Sequence, residues 1–226
     1  MPTFKCSAIL FDLDGVLMDS TPSVSRQWSL WARENNIDPQ KVELVHGRPT
    51  IEGVRLVAPH LDVEAEAQKI EQREMDDKEG VVVMPGAAEL LRLLPPERWC
   101  VVTSGTHRLA MSRLKAGNLP VPEALISADD VVNGKPNPEP YLKGATLLKM
   151  KPAECLVIED APAGIDAAHA AGMRVVALAT TYAASALQKA DAIARALADV
   201  SVDISNDGLI VNVDDAGIRS GKGPEL

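Results

Sequence analysis

The chain has 226 residues, 23 Lys+Arg against 32 Asp+Glu for a formal net charge of −9, and 46% hydrophobic residues. That balance is ordinary for a folded globular protein and excludes wholesale disorder. An acidic chain without a basic run is poorly suited to nucleic acid, and no apolar run reaches the roughly 18 to 20 residues of a membrane span.

The start Met1-Pro2-Thr3-Phe4-Lys5-Cys6 has no apolar stretch of signal-peptide type, so the expected location is the cytoplasm. The three cysteines, Cys6, Cys100 and Cys155, show no CxxC spacing and each lies in or beside a short apolar run. They are expected to be reduced, structural thiols.

Strand-length apolar runs recur at Ala8-Ile9-Leu10-Phe11, Cys100-Val101-Val102, Leu156-Val157-Ile158 and Val175-Val176-Ala177-Leu178, with helix-like stretches between them. This alternation predicts an α/β fold around a buried parallel sheet. Residues 21–80 depart from it, with helical patterning and many charges but no convincing buried strand. The predicted pieces are 23–35, a segment near 39–46, a short helix after Thr50, and 63–78. The last is so rich in Glu, Gln, Lys and Asp that most of its surface is expected to be solvated. Met18, Trp28, Trp31 and Met111 are expected to pack in cores.

Further on, Pro85-Gly86 opens a helix, and Thr106 caps another that ends at Gly117. Helices are also predicted over 138–150 and 162–171, the second begun by Pro162 and closed by Gly172. An Ala-rich helix is expected over 183–190. Two alternating runs, 201–205 and 209–213, flank Asn206-Asp207-Gly208 as a hairpin, and the tail 220–226 is expected to fray.

The chemistry concentrates where predicted strands end. Asp12 and Asp14 follow the first strand directly, and residues two apart in extended backbone point to one side. The carboxyl end of an open α/β sheet is where ligands bind. Two acids against a buried strand repel each other and lose hydration, which a cation relieves. Glu159-Asp160 stands in the same position after another strand. If the strands are neighbours, Asp12, Asp14 and Asp160 form an all-oxygen site suited to Mg²⁺ rather than zinc. Thr103-Ser104-Gly105 closes a third strand at a helix start, where amides and a hydroxyl suit an anion such as phosphate. Lys135 sits in the rigid turn Asn133-Gly134-Lys135-Pro136-Asn137-Pro138, just before a helix. His60, His107 and His169 are scattered without metal-ligand spacing.

These four elements, in this order, resemble the motifs of the haloacid dehalogenase-like superfamily, and the resemblance spans Ala8 to Leu178. It implies a Rossmann-like parallel-sheet core at 1–17 and 84–226, with a small helical cap of the C1 type inserted at 18–83. His46-Gly47-Arg48-Pro49-Thr50, Val102-Thr103-Ser104-Gly105-Thr106, Gly134-Lys135-Pro136-Asn137-Pro138-Glu139-Pro140-Tyr141 and Glu159-Asp160-Ala161-Pro162-Ala163-Gly164-Ile165 are similar to the sugar and polyol phosphatase branch. That branch includes phosphatases of 2-deoxyglucose 6-phosphate and glycerol 3-phosphate.

The resemblance implies a phosphatase of small phosphomonoesters. Asp12 would form an aspartyl phosphate, and Asp14 would serve as acid and then as base. Mg²⁺ would be held by Asp12, the backbone carbonyl of Asp14 and Asp160, with Glu159 behind them, while Thr103, Ser104 and Lys135 bind phosphate. His46, Arg48 and Thr50 are the cap candidates for the rest of the substrate. A phosphosugar mutase shares these core motifs but typically carries a His at the position aligned with Val24, and a non-catalytic phosphosugar-binding protein does not need Asp14. The small residues Ala163, Gly164, Ala167 and Ala168 should let their helix lie close to the sheet, so a bulky Gly164 replacement is expected to displace Asp160. No membrane or nucleic-acid partner is expected, and the chain is expected to be a monomer or weak dimer.

Overall fold

In the computed structural model, which describes residues 1–42, 48–205 and 208–215, the chain enters through β1 (Thr3–Cys6) and β2 (Ala8–Phe11) and reaches a short β3 (Met18–Asp19). Among the described residues four helices follow, α1 (Thr21–Glu34), α2 (Pro39–Val42), α3 (Thr50–Val57) and α4 (Val63–Asp76), before the return strand β4 (Val82–Val83). Alternation then sets in with α5 (Ala87–Leu93), β5 (Trp99–Val102), α6 (His107–Ala116), β6 (Leu125–Ile126), α7 (Glu139–Leu147), β7 (Cys155–Glu159), α8 (Pro162–Ala170) and β8 (Arg174–Leu178). The last strands are β9 (Ala192–Ala194), β10 (Val200–Ser205) and β11 (Gly208–Val213).

The main sheet has the order β6-β5-β2-β7-β8-β9, and every neighbouring pair is parallel. From β2 the path moves outward to β5 and β6, then resumes on the other side with β7, β8 and β9. β2 therefore marks the point where strand order reverses, the place where open α/β sheets form a crevice. Its apolar run is continuous because both faces are covered. Ile9, Phe11, Val101 and Ile158 pack with Leu90 of α5 and Leu114 of α6 on one face. Leu10, Val102 and Val157 pack with Tyr141 of α7 and Ile165 of α8 on the other. The predicted hairpin is the antiparallel pair β10 and β11, which β1 extends into a three-stranded sheet. Its turn residues Asn206 and Asp207, His46, and the tail 220–226 lie outside the described residues.

Cys6, Cys100 and Cys155 are buried free thiols, as expected, and burial pushes the Cys100 and Cys155 thiols up to about 12, where they are inert. Over 183–190 the structure departs from the expected helix, forming only one 3-10 turn at Ala184–Leu187. A helix shorter than about 12 residues is marginal alone. Here both ends are pinned elsewhere: Ala179 N donates to Ala194 O and Asp191 N to Val175 O. Among the described residues no helix is long and apolar enough to cross a membrane.

The four-helix insert has its own apolar cluster, with Trp28, Trp31, Val54 and Ile70 at its centre. Trp28 and Trp31 meet edge to face at 5.5 Å between ring centroids, and Trp31 Nε1 donates to Glu66 at 2.6 Å. The two connections to the rest of the chain pair as β3 and β4, Met18 opposite Val83 and Asp19 opposite Val82. A side-chain clamp reinforces them. Arg26 donates to both Asp77 oxygens, at 3.0 and 2.8 Å, Gln27 donates to Asp77 Oδ2 at 2.7 Å, and Ser23 donates to the Asp77 carbonyl at 3.0 Å.

Arg26 and Gln27 hold the Asp77 carboxyl down to about 2, against an ordinary 3.8. The unfolded chain binds the proton more readily, so this clamp stabilises at neutral pH and its contribution is lost as pH falls from about 4 towards 2. Asp77→Asn should therefore melt below the wild type at neutral pH, with the gap narrowing in acid. Thermal melts followed by circular dichroism across that range check it.

Candidate active site

Asp12 continues β2 by one residue, its amide donating to Ile158 O of β7 at 3.0 Å, which carries its side chain to the floor of a pocket at the switch point. The same pocket is lined by Asp14, Thr103, Ser104, Lys135, Glu159 and Asp160. The carboxyl ends of β2, β5 and β7 thus converge, as neighbouring strands must.

Lys135 organises the floor. Its Nζ donates to Asp12 Oδ1 at 2.5 Å, Glu159 Oε1 at 2.8 Å and the Val102 carbonyl at 3.0 Å, which uses all three ammonium donors. The Tyr141 ring lies 5.1 Å from this nitrogen, and its hydroxyl donates to Glu159 Oε1 at 3.0 Å. Glu159 Oε2 accepts the amides of Asp160 and Ala161, both at 2.8 Å. Both Glu159 oxygens are therefore engaged in holding Lys135 and the start of the loop. Burial acts to lower the Lys135 pKa, but the charges of Asp12 and Glu159 outweigh it and hold the ammonium well above its ordinary value. Burial, with the charges of Glu159 and Asp14, pushes Asp12 up to about 7 against the pull of Lys135.

Asp14 is held apart from this cluster. Ser20 Oγ donates to its Oδ1 at 2.6 Å and Arg113 Nη1 donates to its Oδ2. Arg113 Nη2 donates in turn to Glu74 Oε2 at 2.6 Å. Burial pushes Glu74 up to about 7, against the pull of Arg113. The expectation of a largely solvated 63–78 helix is thus corrected for one face of α4. Ala67, Ile70, Glu71 and Glu74 are all buried, and at spacings of three, one and three they form one stripe. Arg113 likewise occupies the buried stripe of α6 beside Leu109, Ala110 and Leu114. Charges at apolar positions were the signal for both, and the motifs did not include them.

Of the remaining candidates, Thr103 is buried and its Oγ1 accepts the Gly105 amide at 3.1 Å, where it shapes the loop before α6. Thr50 is buried and lines the pocket. Arg48 reaches the pocket from an exposed position. Val24 and Trp28 add an apolar surface from α1.

The donors fit a hard divalent cation. Asp160 is pushed well above the ordinary carboxylate range by burial and by the charges of Glu159 and Asp12, a repulsion that a cation would relieve. Gly15, at φ +80°, lies so close that a Cβ there would stand 2.0 Å from Asp160 Oδ2. Among the described residues no three His, Cys, Asp or Glu side chains gather as a metal cluster, and the Asp14 side chain is turned to Ser20 and Arg113.

The family model of the haloacid dehalogenase-like hydrolases matches residues 6–172. The chain belongs to that family. It is 38% identical to hexitol phosphatase A of Escherichia coli over 92% of this chain and 99% of that protein. Glycerol-1-phosphate phosphohydrolase 1 of Saccharomyces cerevisiae is 37% identical over 80% of this chain and 77% of its own length. Among solved structures, a hydrolase from Pseudomonas syringae superposes with a TM-score of 0.78 at 27% identity, covering 85% of this chain and 95% of that one. This haloacid dehalogenase-like hydrolase is an enzyme that cleaves phosphoric monoesters, with the α/β parallel-sheet fold of its family.

The expected role of Gly164 needs correction. A Cβ at Gly164 would lie 1.7 Å from Glu159 Oε1, so the helix start abuts Glu159 rather than Asp160. Gly164→Ala should push Glu159 off Lys135 and destabilise the fold by about 3 to 5 kcal/mol, the range for breaking a buried ion pair. Urea denaturation measures this, and a change under ~1 kcal/mol would show that Glu159 can move without loss.

Proposed function

We propose that this hydrolase is a Mg²⁺-dependent phosphatase of small polyol or sugar phosphates that works through an aspartyl phosphate on Asp12. The observation that carries this reading is two carboxyls in one pocket with different partners, Asp12 on Lys135 and Asp14 on Ser20 and Arg113. Such a division suits a nucleophile and a proton carrier.

Asp12 attacks phosphorus as the bond to the leaving oxygen breaks, and Asp14 hands its proton to that oxygen. In the second half a water gives its proton to Asp14 while its oxygen attacks the aspartyl phosphate, which releases phosphate and restores Asp12. Both attacks bring electron-rich oxygen to an anionic centre, and Lys135 neutralises charge there from a fixed position. Thr103 and Ser104 border the phosphate. Asp12, Asp160 and the Asp14 carbonyl would hold Mg²⁺, which supplies further neutralisation of the phosphoryl oxygens.

Beyond the phosphate the wall comes from the insert, here read as a cap spanning 18–83. The buried cation beside that wall, Arg113 of α6, is already engaged by Asp14 and Glu74, so the wall offers acceptors and the apolar faces of Val24 and Trp28 rather than a second anion site. A neutral, hydroxyl-rich tail fits such a wall, with Arg48 reaching its hydroxyls from the rim. The named activities of the hexitol and glycerol-1-phosphate relatives agree with that chemistry. Val24 faces the pocket where a mutase typically carries His, which favours hydrolysis over phosphoryl return. The described lining of the pocket comes from one chain, which suits a monomer or weak dimer, and the acidic chain with three reduced thiols suits the cytoplasm.

Phosphate release should be measured from hexitol, glycerol and hexose monophosphates and from a hexose bisphosphate, with Mg²⁺ and with chelator. Turnover should require Mg²⁺, favour monophosphates, and fall about 10⁴-fold or more in Asp12→Asn, as for loss of a nucleophile. Conversion of a hexose 1-phosphate to its 6-phosphate under a bisphosphate primer, without net release, would make the enzyme a mutase.

A further inference from the structure

Two charged side chains of the pocket have no task in the reaction as written, Arg113 and Glu74. Both are buried, with side chains 8% and 3% exposed. They come from different parts of the molecule, Arg113 from the last turn of α6 in the sheet domain and Glu74 from the last turn of α4 in the insert. One guanidinium therefore links the insert, through Glu74 Oε2, to Asp14 Oδ2 on the loop after β2. Two further contacts run along the same seam. The Thr106 hydroxyl donates to Glu71 Oε2 at 2.7 Å, and Arg108 donates to Gln72 Oε1 at 2.6 Å.

A guanidinium is a planar fork that only donates. Seated on Glu74 with one arm, Arg113 has its other arm aimed at Asp14. That arm holds Oδ2 as an acceptor, and Oδ1, beside the Ser20 hydroxyl, is left as the oxygen placed to exchange a proton. A hydroxyl donates to a carboxylate and accepts from a carboxylic acid, so Ser20 serves both states of Asp14. Lifting α4 from α6 removes Glu74, and Arg113 is then no longer fixed at its far end.

We infer that Arg113, braced by Glu74, is a positioning residue for Asp14: seating of the insert on the sheet domain determines that Oδ1 gives the proton to the leaving oxygen and later takes one from water. The inference rests on the phosphatase reading and adds to it the coupling between the seam and proton transfer.

The test compares a leaving group that needs a proton with one that does not. Wild type, Glu74→Met, Arg113→Met, Arg113→Lys and Asp14→Asn are mixed with p-nitrophenyl phosphate or a polyol phosphate in the presence of Mg²⁺, and the first turnover is resolved by rapid mixing. On the polyol phosphate, Glu74→Met and Arg113→Met should lose about tenfold or more in first-turnover rate, within the range for general acid catalysis, with little change in KM. On the nitrophenyl ester both should still release close to one equivalent of nitrophenolate per site in a burst and then stall, as Asp14→Asn should. Arg113→Lys, which keeps charge but not the fork, should fall between. Equal losses on the two esters, or an unchanged polyol rate, would overturn the inference. If Arg113→Met fails to fold, Glu74→Met, which removes the acceptor from the other side, decides. A wild type without Mg²⁺-dependent release from either ester would instead overturn the phosphatase reading, and the coupling with it.

Discussion

The buried ammonium of Lys135 is the charge on which the site depends. A lone ammonium in an apolar interior is costly, so it must be surrounded by acceptors. Here they come from three adjacent strands: the Val102 carbonyl at the end of β5, Asp12 just past β2 and Glu159 at the end of β7. The sheet order β5-β2-β7 brings those ends within reach of one side chain. Satisfying Lys135 therefore also gathers the carboxylates that the chemistry needs. Glu159 has both oxygens engaged, and this fixes the loop that carries Asp160. The arrangement leaves Asp160 in excess of the local positive charge, which is why the pocket suits a divalent cation.

The insert meets the sheet domain differently. Its own apolar cluster, around Trp31 and Ile70, holds its helices together, while the seam with α6 is built from Glu71, Gln72 and Glu74 against Thr106, Arg108 and Arg113. A polar seam can part and remain solvated, whereas an apolar one resists opening. The paired strands β3 and β4 and the clamp on Asp77 tie both connections together, so the insert is attached at one place. Such an attachment suits a body that covers a pocket without being part of the core.

Much of this was legible in the chain. Continuous apolar runs marked β2, β5, β7 and β8, because strands covered on both faces have no polar side to show. Helix punctuation was equally local: Thr106 accepts the Leu109 amide, and Gly172, at φ +76°, follows α8. Asp12, Thr103, Lys135 and Asp160 stood out by position after strands or before a helix. Other features were opaque. The Ala-rich 183–190 stretch has helical propensity but is held at both ends by sheet hydrogen bonds. Glu71 and Glu74 looked like a solvated face, since an acidic helix gives the same composition whether or not one side is buried. A bulky residue at Gly164 was expected to displace Asp160 through close helix packing, although a side chain there meets Glu159 first.

By itself the sequence determined the α/β class and the family and marked the residues at the strand ends, because these follow from local periodicity, turn chemistry and short motifs. Only the tertiary structure decided that Arg113 and Glu74 meet at Asp14, that Thr106 bonds Glu71, and that Glu159 braces Lys135. Those pairings join residues as far apart as 99 positions, and electrostatic partners at that range are selected by how helices dock, which no local pattern encodes.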